Sequence, residues 1–134
     1  MMAGASPLSG AVEILPADGE LTGAARFTVA DTETVLPGHY PGFPIFPGVC
    51  LVECARLSAE ATLPGEAKGA ALAAVESTRF TGPVFPGDQV DIDLVWKRTP
   101  AGDWQCRAKL STRRGPAASV RLRFAHPAGE AAAA

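Results

Sequence analysis

A histidine and a glutamate lie in one segment of the chain whose other residues are almost all apolar or conformationally restricted. The segment "GHYPGFPIFPGVCLVE", residues 38–53, contains His39 near its start and Glu53 at its end. An imidazole can accept a proton near neutral pH, whereas a carboxyl group in apolar surroundings keeps its proton and can donate it. The two residue types together can therefore perform general acid–base chemistry.

The elements that must position these two side chains are a stiff loop and a helix. Four prolines fix their own φ angles within residues 37–48, and three glycines in the same stretch permit turns. The run "VCLVECARLSAEATL", residues 49–63, predicts a helix that starts after a Pro-Gly pair and stops at Pro64 and Gly65. Its first half is apolar nearly all round, which indicates a helix surrounded by protein.

Each of the two candidate residues also has a structural interpretation. Apolar neighbours are expected to raise the pKa of Glu53 and keep its carboxyl group protonated at neutral pH. The alternative is an ion pair with Arg56 three residues later, or a favourable position near a helix N-terminus. For His39 the alternative is a loop imidazole that is hydrogen-bonded to a neighbouring carbonyl. The residues alone leave these alternatives open.

The rest of the chain predicts strands of an antiparallel sheet. Apolar and polar residues alternate in "LTGAARFTVA", and the Asp-Gly pair just before that segment is a hairpin signal. Three later segments alternate as well and are joined by the short turns "TPAGD" and "RRGPA", which predicts a meander. The stretch "AALAAVESTRF" predicts one more strand, so one helix and five or six strands indicate an α+β domain. The residues expected to face inward in the meander are Val90, Ile92, Leu94 and Trp96, then Trp104, Cys106, Ala108 and Leu110, then Val120, Leu122 and Phe124.

Composition excludes several classes of function. Twelve basic and fourteen acidic residues are interspersed and give a net charge of -2, so no broad cationic surface for nucleic acid is expected. No apolar run is long enough to span a membrane and no signal peptide is evident, which favours the cytoplasm. The three cysteines have no metal-ligand spacing and are expected to be buried, and neither a metal nor a cofactor is expected. We expect one domain over residues 1–134, with a flexible tail from about residue 126 that makes His126 an unpromising chemical group.

The segment that contains His39 and Glu53 resembles the active-site segment of bacterial 3-hydroxyacyl-ACP dehydratases of the fatty-acid type. That family has a similar His-x-Pro-Gly-x-Pro-x-x-Pro-Gly-Val loop followed by a helix glutamate at the same interval. A second segment, "VESTRFTGPVFPGDQVDIDLVWKR", residues 75–98, is similar to the family's Arg-Phe-x-x-Pro-Val-x-Pro-Gly-Asp region. The resemblance implies the hot-dog fold, in which an antiparallel sheet wraps around a central helix. It also implies a dimer whose sites combine the histidine of one protomer with the acid of its neighbour.

The same resemblance implies roles for five residues. His39 would remove the proton next to the thioester carbonyl, and Glu53 would protonate the departing hydroxyl group. The backbone N–H groups of Gly48 and Val49 would stabilise the negative charge on the thioester oxygen. The carbonyl of Ile45 would accept a hydrogen bond from His39 and fix its tautomer. The product would be a trans-2-enoyl thioester.

The implied partners are an acyl carrier protein with a phosphopantetheine-linked substrate, and a second hot-dog subunit that is identical or related. Arg79, Lys97 and Arg98 are candidate carrier contacts. Leu57 stands where many relatives have glutamine, and the N-terminal segment lacks the usual Leu-Pro-His-Arg start. Departures of this kind from the family pattern favour a specialised branch, such as a polyketide or polyene pathway. Two alternatives remain: a non-catalytic partner subunit of a heterodimeric dehydratase, and a hot-dog thioesterase.

Overall fold

One sheet and one long helix make up the part of the chain that the structure describes. This computed structural model describes residues 12–29 and 48–127. The elements are β1 (Glu13–Leu15), β2 (Thr22–Thr28), α1 (Gly48–Ala61), a short 3-10 helix (Gly65–Ala67), β3 (Ala71–Phe80), β4 (Gln89–Arg98), β5 (Trp104–Thr112) and β6 (Gly115–Ala125).

The six strands form one antiparallel sheet in the order β1-β2-β4-β5-β6-β3. Strands β4, β5 and β6 are sequential neighbours and form the predicted meander. Strand β3 crosses over to the far edge and pairs with β6. The α+β prediction is confirmed, with α1 in contact with β2 to β6.

The alternating patterns place their apolar residues on the side of the sheet that forms the core. All eleven residues predicted to face inward in the meander are buried. The rings of Trp96 and Phe124 lie 5.3 Å apart at a tilt of 59°, so they connect β4 with β6 across β5. In β2, Ala25 and Phe27 are buried as the alternation predicted, whereas Leu21, before the strand, is exposed.

Helix α1 is shorter than predicted and is not buried on all sides. It ends at Ala61 rather than near residue 63, and the next residue donates its backbone N–H to the carbonyl of Ala59 (3.1 Å). The prediction of a helix surrounded by protein is wrong for the single chain, because Val49 is 65% exposed. One face of the helix packs on the sheet, and its buried residues are Cys50, Leu51, Cys54, Ala55, Ser58 and Ala59.

Two connections differ from the sequence-based expectation. The predicted turn "RRGPA" is shorter, because strand β6 already begins at Gly115, whose φ of 118° is one that glycine adopts without strain. Strand β1 was not predicted. It pairs with β2 through the hairpin that the Asp-Gly pair indicated, and Gly19 has a φ of 79° there.

Strand β3 lies at the open edge of the sheet. Its pairing with β6 has register shifts between Leu72 and Ala74 and between Val75 and Ser77. Val75 is 45% exposed and Phe80 is 51% exposed. The edge strand next to the helix therefore leaves apolar side chains uncovered in the single chain.

Candidate active site

The N-terminus of α1 forms one wall of the candidate site. The helix begins at Gly48, and the first N–H groups of any helix lack partners within it. The ring of Phe80 lies against Gly48 so closely that a Cβ atom there would come within 2.9 Å of the ring Cζ. Gly48 therefore allows the edge strand to approach the start of the helix. The backbone N–H groups of Gly48 and Val49 lie at the positive end of the helix dipole, because they belong to its first turn.

Glu53 follows on the same helix, on the border between the packed face and the open one. Its side chain is 13% exposed. Arg56 donates from Nε to Glu53 Oε1 (2.9 Å) and from Nη2 to Glu53 Oε2 (2.6 Å). The ion pair with Arg56, which the sequence left open as an alternative, is thus formed.

Arg56 also binds a second carboxylate. Its Nη1 donates to Glu60 Oε2 (2.8 Å), so one guanidinium bridges Glu53 and Glu60 along the helix. The hydrogen bonds to Glu53 raise the pKa of Arg56 above its ordinary value; partial burial opposes this, and Glu60 adds to it. Leu57 packs against the core as a partly buried apolar residue.

His39 and Ile45 lie outside the residues that the structure describes, so their roles stay predictions. The chain enters that segment from a fixed point. Val29 donates its N–H to the carbonyl of Asp88 (2.8 Å), and its own carbonyl accepts from the N–H of Gly87 (2.6 Å). The end of β2 is thereby held by the Pro-Gly-Asp sequence of the second motif.

Asp88 has a structural role that the sequence did not reveal. Its Oδ2 accepts from the backbone N–H of Phe85 (2.8 Å) and also binds Arg114. The guanidinium of Arg114 lies 5.0 Å above the ring of Phe85. The acidic residue of the motif therefore joins the loop after β3 to the β5–β6 turn, and the only sequence signal for this was its place in the motif.

The three candidate carrier contacts do not form one surface. Arg79 precedes Phe80, which contacts the start of α1, and pairs in register with Ser119 on β6. Lys97 and Arg98 end β4, two strands away from β6, near the other end of the helix. Arg98 binds Glu66 (3.6 Å) and lies 5.6 Å from the centre of the Trp104 ring. Only Arg79 is thus close to the start of the helix.

The remaining reactive side chains in the described ranges have structural surroundings. All three cysteines are buried, and burial raises the pKa of Cys106 to about 12. A thiol of that kind stays protonated and is a poor nucleophile. His126 hydrogen-bonds through Nε2 to the carbonyl of Lys68 (3.0 Å). Residues 12–29 and 48–127 contain no cluster of side chains that could hold a metal ion, and no helix among them is long and apolar enough to cross a membrane.

A six-stranded antiparallel sheet packed on one helix defines the class of hot-dog proteins, and solved structures show the same fold. The dehydratase heterocomplex ApeI:P of Xenorhabdus doucetiae superposes with a TM-score of 0.67 at 19% identity, over 90% of this chain and 99% of the other. The PaaI protein of the E. coli phenylacetic acid degradation operon gives 0.70 at 18% identity, over 87% of this chain and 82% of the other. The predicted hot-dog fold is confirmed.

The family follows from the sequence. The family model described as ApeI-like, ApeI dehydratase, matches residues 17–121, and the chain belongs to this family. A 3-hydroxyacyl-[acyl-carrier-protein] dehydratase FabZ of Koribacter versatilis is 38% identical over 54% of this chain and 52% of its own length. The FabZ of Desulforamulus reducens is 35% identical over 72% of this chain and 71% of its own length. The chain spans about half the length of the Koribacter and Symbiobacterium FabZ relatives that it matches.

Proposed function

We propose that the protein is a dehydratase that eliminates water from 3-hydroxyacyl thioesters carried by an acyl carrier protein, in fatty-acid or polyketide-type biosynthesis. The main support for this proposal is that two candidate catalytic groups lie close together on helix α1. The N–H groups of Gly48 and Val49 lie at its start, and the carboxyl group of Glu53 lies about one turn later. A carbonyl oxygen at the helix start would leave the next carbons of an acyl chain beside Glu53.

The reaction assigns one step to each group. His39 removes the proton from the carbon next to the thioester carbonyl, and the negative charge moves to the thioester oxygen. The N–H groups of Gly48 and Val49 stabilise that charge, because they are at the positive end of the helix dipole. The electron pair then forms the new double bond, the C–O bond at the third carbon breaks, and Glu53 gives its proton to the departing hydroxyl group. The carbonyl of Ile45 holds His39 in the required tautomer.

A second hot-dog subunit completes the site in this proposal. Val49 and Phe80 expose apolar surface where the open sheet edge meets the start of the helix, and Val75 exposes more apolar surface further along the same edge strand. A second subunit on this edge would cover that surface and bring its own histidine to Glu53. The partner is a second copy or a related chain, and the Xenorhabdus ApeI:P dehydratase is a heterocomplex. We place the first contact of the carrier protein at Arg79, since it lies closest to the helix start among the three basic candidates.

Mass spectrometry of a 3-hydroxyacyl-carrier protein incubated with the purified chain tests the reaction. Loss of the mass of one water from the carrier-bound chain is the expected result. Release of free carrier protein would instead identify a thioesterase. No change with the chain alone, but water loss after a related hot-dog subunit is added, would identify a partner subunit of a heterodimer.

Mixing two inactive variants tests the shared site. His39→Ala and Glu53→Ala dimers, exchanged at random, would form about half mixed dimers, each with one intact site. Activity should recover to about a quarter of wild type. If native mass spectrometry shows exchange but activity stays at the level of the single variants, the two residues do not combine across an interface.

A further inference from the structure

The ion pair at Glu53 conflicts with a role as proton donor. Both of its carboxylate oxygens accept hydrogen bonds from one guanidinium, at 2.6 and 2.9 Å. Bidentate pairs of this kind are stronger than single neutral hydrogen bonds, and they need an ionised carboxylate. Arg56 therefore favours the form of Glu53 that has no proton to give.

Water weakens this pair only in part. The Glu53 side chain is 13% exposed and that of Arg56 is 32% exposed, so the pair is better shielded than most surface ion pairs. Glu60, at 41% exposed, binds the same guanidinium from the solvent side. Its negative charge attracts Arg56 and also disfavours a second negative charge at Glu53. Arg56 and Glu60 thus act on the Glu53 proton in opposite directions.

Within residues 12–29 and 48–127, the strands packed against α1 add no charge to this balance from their buried faces. In the described parts of the chain, the buried side chains of the strands are apolar apart from Thr112, and the charged residues of the strands alternate onto the opposite face. On the helix itself Ser58 is the buried polar residue, and it donates to the carbonyl of Cys54 (2.7 Å). His39 is the titratable group that the proposed mechanism adds.

We propose that Arg56 is a positioning residue that sets the pH range in which Glu53 carries a proton, and that Glu60 moderates this effect by sharing the guanidinium. The proposal rests on the proposed function of Glu53 as acid. Its consequence is a dehydratase whose rate falls at a lower pH than an unpaired glutamate at this position would allow. The three charged residues lie within the sequence "ECARLSAE", at spacings of three and four residues, which place them on one side of the helix.

The test is the pH profile of kcat for dehydration of a 3-hydroxyacyl-carrier protein, measured for the full chain in its active assembly. In Arg56→Met the limb that falls with rising pH should move upward by about one pH unit, because the protonated acid then persists to higher pH. In Glu60→Gln the same limb should move downward by a smaller amount. Arg56→Lys keeps the charge without the two-pronged contact and should lie between wild type and Arg56→Met.

Arg107→Met is the matched control. Arg107 is exposed on β5, on the outer face of the sheet, so this variant makes the same change in net charge far from Glu53. Its profile should coincide with that of wild type. An Arg56→Met profile that coincides with wild type, or that moves no further than Arg107→Met, would overturn the proposal. Equal losses at every pH in Arg56→Met and Glu60→Gln would overturn it as well, because they indicate a purely structural role.

A second readout separates this inference from the proposed function. The carboxyl carbon of Glu53 can be followed by NMR through a pH titration without substrate. Its midpoint should move upward in Arg56→Met and downward in Glu60→Gln. If the midpoints of the variants move in this way but the wild-type chain dehydrates nothing, the proposed reaction is refuted and the effect of Arg56 on Glu53 is confirmed. Unchanged midpoints would refute the Arg56 effect, whatever the activity.

Discussion

The central meander and the edge strand lie in one sheet but differ in what their residues do. In β4, β5 and β6 the inward residues are all buried, and the alternation continues across the three strands. Strand β3 has two register shifts and leaves Val75 and Phe80 about half exposed, and Phe80 lies beside the start of α1. The regular region provides a rigid frame. The irregular edge can contribute to a site and bind a partner, because its apolar surface is not buried within the single chain.

The largest expected effect concerns the chemistry beside that edge. His39→Ala and Glu53→Gln should each lower turnover by about 10²-fold to 10⁴-fold, because each removes a proton-transfer group. Both variants should remain folded and show a cooperative unfolding transition in urea, so the loss of turnover would not come from a loss of the fold. Cys106→Ala, in the meander, is the control: it should lower stability and leave the turnover of the folded protein intact. Full activity in Glu53→Gln would assign the donor role to water.

The next effect compares a meander residue with an edge residue. Leu122→Ala should cost about 2–5 kcal/mol of folding stability, because the side chain is fully buried and leaves a cavity. Val75→Ala should cost less than about 1 kcal/mol in dilute protein, since the side chain is half exposed there. It should weaken association instead, as measured by sedimentation over a range of concentrations. Equal losses of stability in dilute protein would show that the edge already belongs to the core of the single chain.

The sequence predicted the regular region well. Alternation from Val90 to Trp96 fixes which side chains face inward, because a one-residue slip would expose the whole set. The exposure of Phe80 was not predictable in this way. It depends on which strand lies at the edge, and that order follows from the crossover of β3 to β6 rather than from any local pattern.

The candidate site was predictable only in part. The resemblance supplied His39 and Glu53, but spacing alone could not decide whether Glu53 is protonated in apolar surroundings or paired with Arg56. Which of these two states is adopted depends on how much of the helix surface is exposed to solvent. In the single chain Val49 is exposed, although a helix surrounded by protein was expected. The distance between Lys97 and Arg79 was not predictable from the sequence either, because it also depends on the order of the strands in the sheet.

Substitutions at two glycines compare a contact with the backbone of the sheet and a contact with the exposed Phe80 ring, and smaller effects are expected. A Cβ atom at Gly82 would lie 2.8 Å from the backbone oxygen of Pro116, which cannot move alone, so Gly82→Ala should cost about 1–3 kcal/mol. At Gly48 the obstacle is the end of the Phe80 ring, which can turn toward solvent. Gly48→Ala should therefore stay within about 1 kcal/mol of wild type in thermal unfolding. A larger loss in Gly48→Ala than in Gly82→Ala would mean that the ring is held as firmly as the backbone.

The smallest effect belongs to the outer face of the sheet. Glu76 binds Arg121 (3.5 Å) and Arg123 (3.2 Å), both partly exposed. Glu76→Gln should cost about 0.2–1 kcal/mol at low salt, and the difference should vanish at high salt because exposed ion pairs are screened. Denaturant titrations at two ionic strengths measure this. A loss that persists at high salt would indicate that the carboxylate also supports packing between β3 and β6.

The chain contains two tryptophans, and both belong to the frame. Trp96 and Trp104 are buried, and the indole N–H of Trp96 donates to Thr62 Oγ1 (3.3 Å) just beyond the C-terminal end of α1. Neither ring lies at the start of the helix, where the substrate is proposed to bind. Intrinsic fluorescence therefore reports the integrity of the sheet with little interference from ligand binding. Every variant at the helix start carries its own optical measure of folding, without a label.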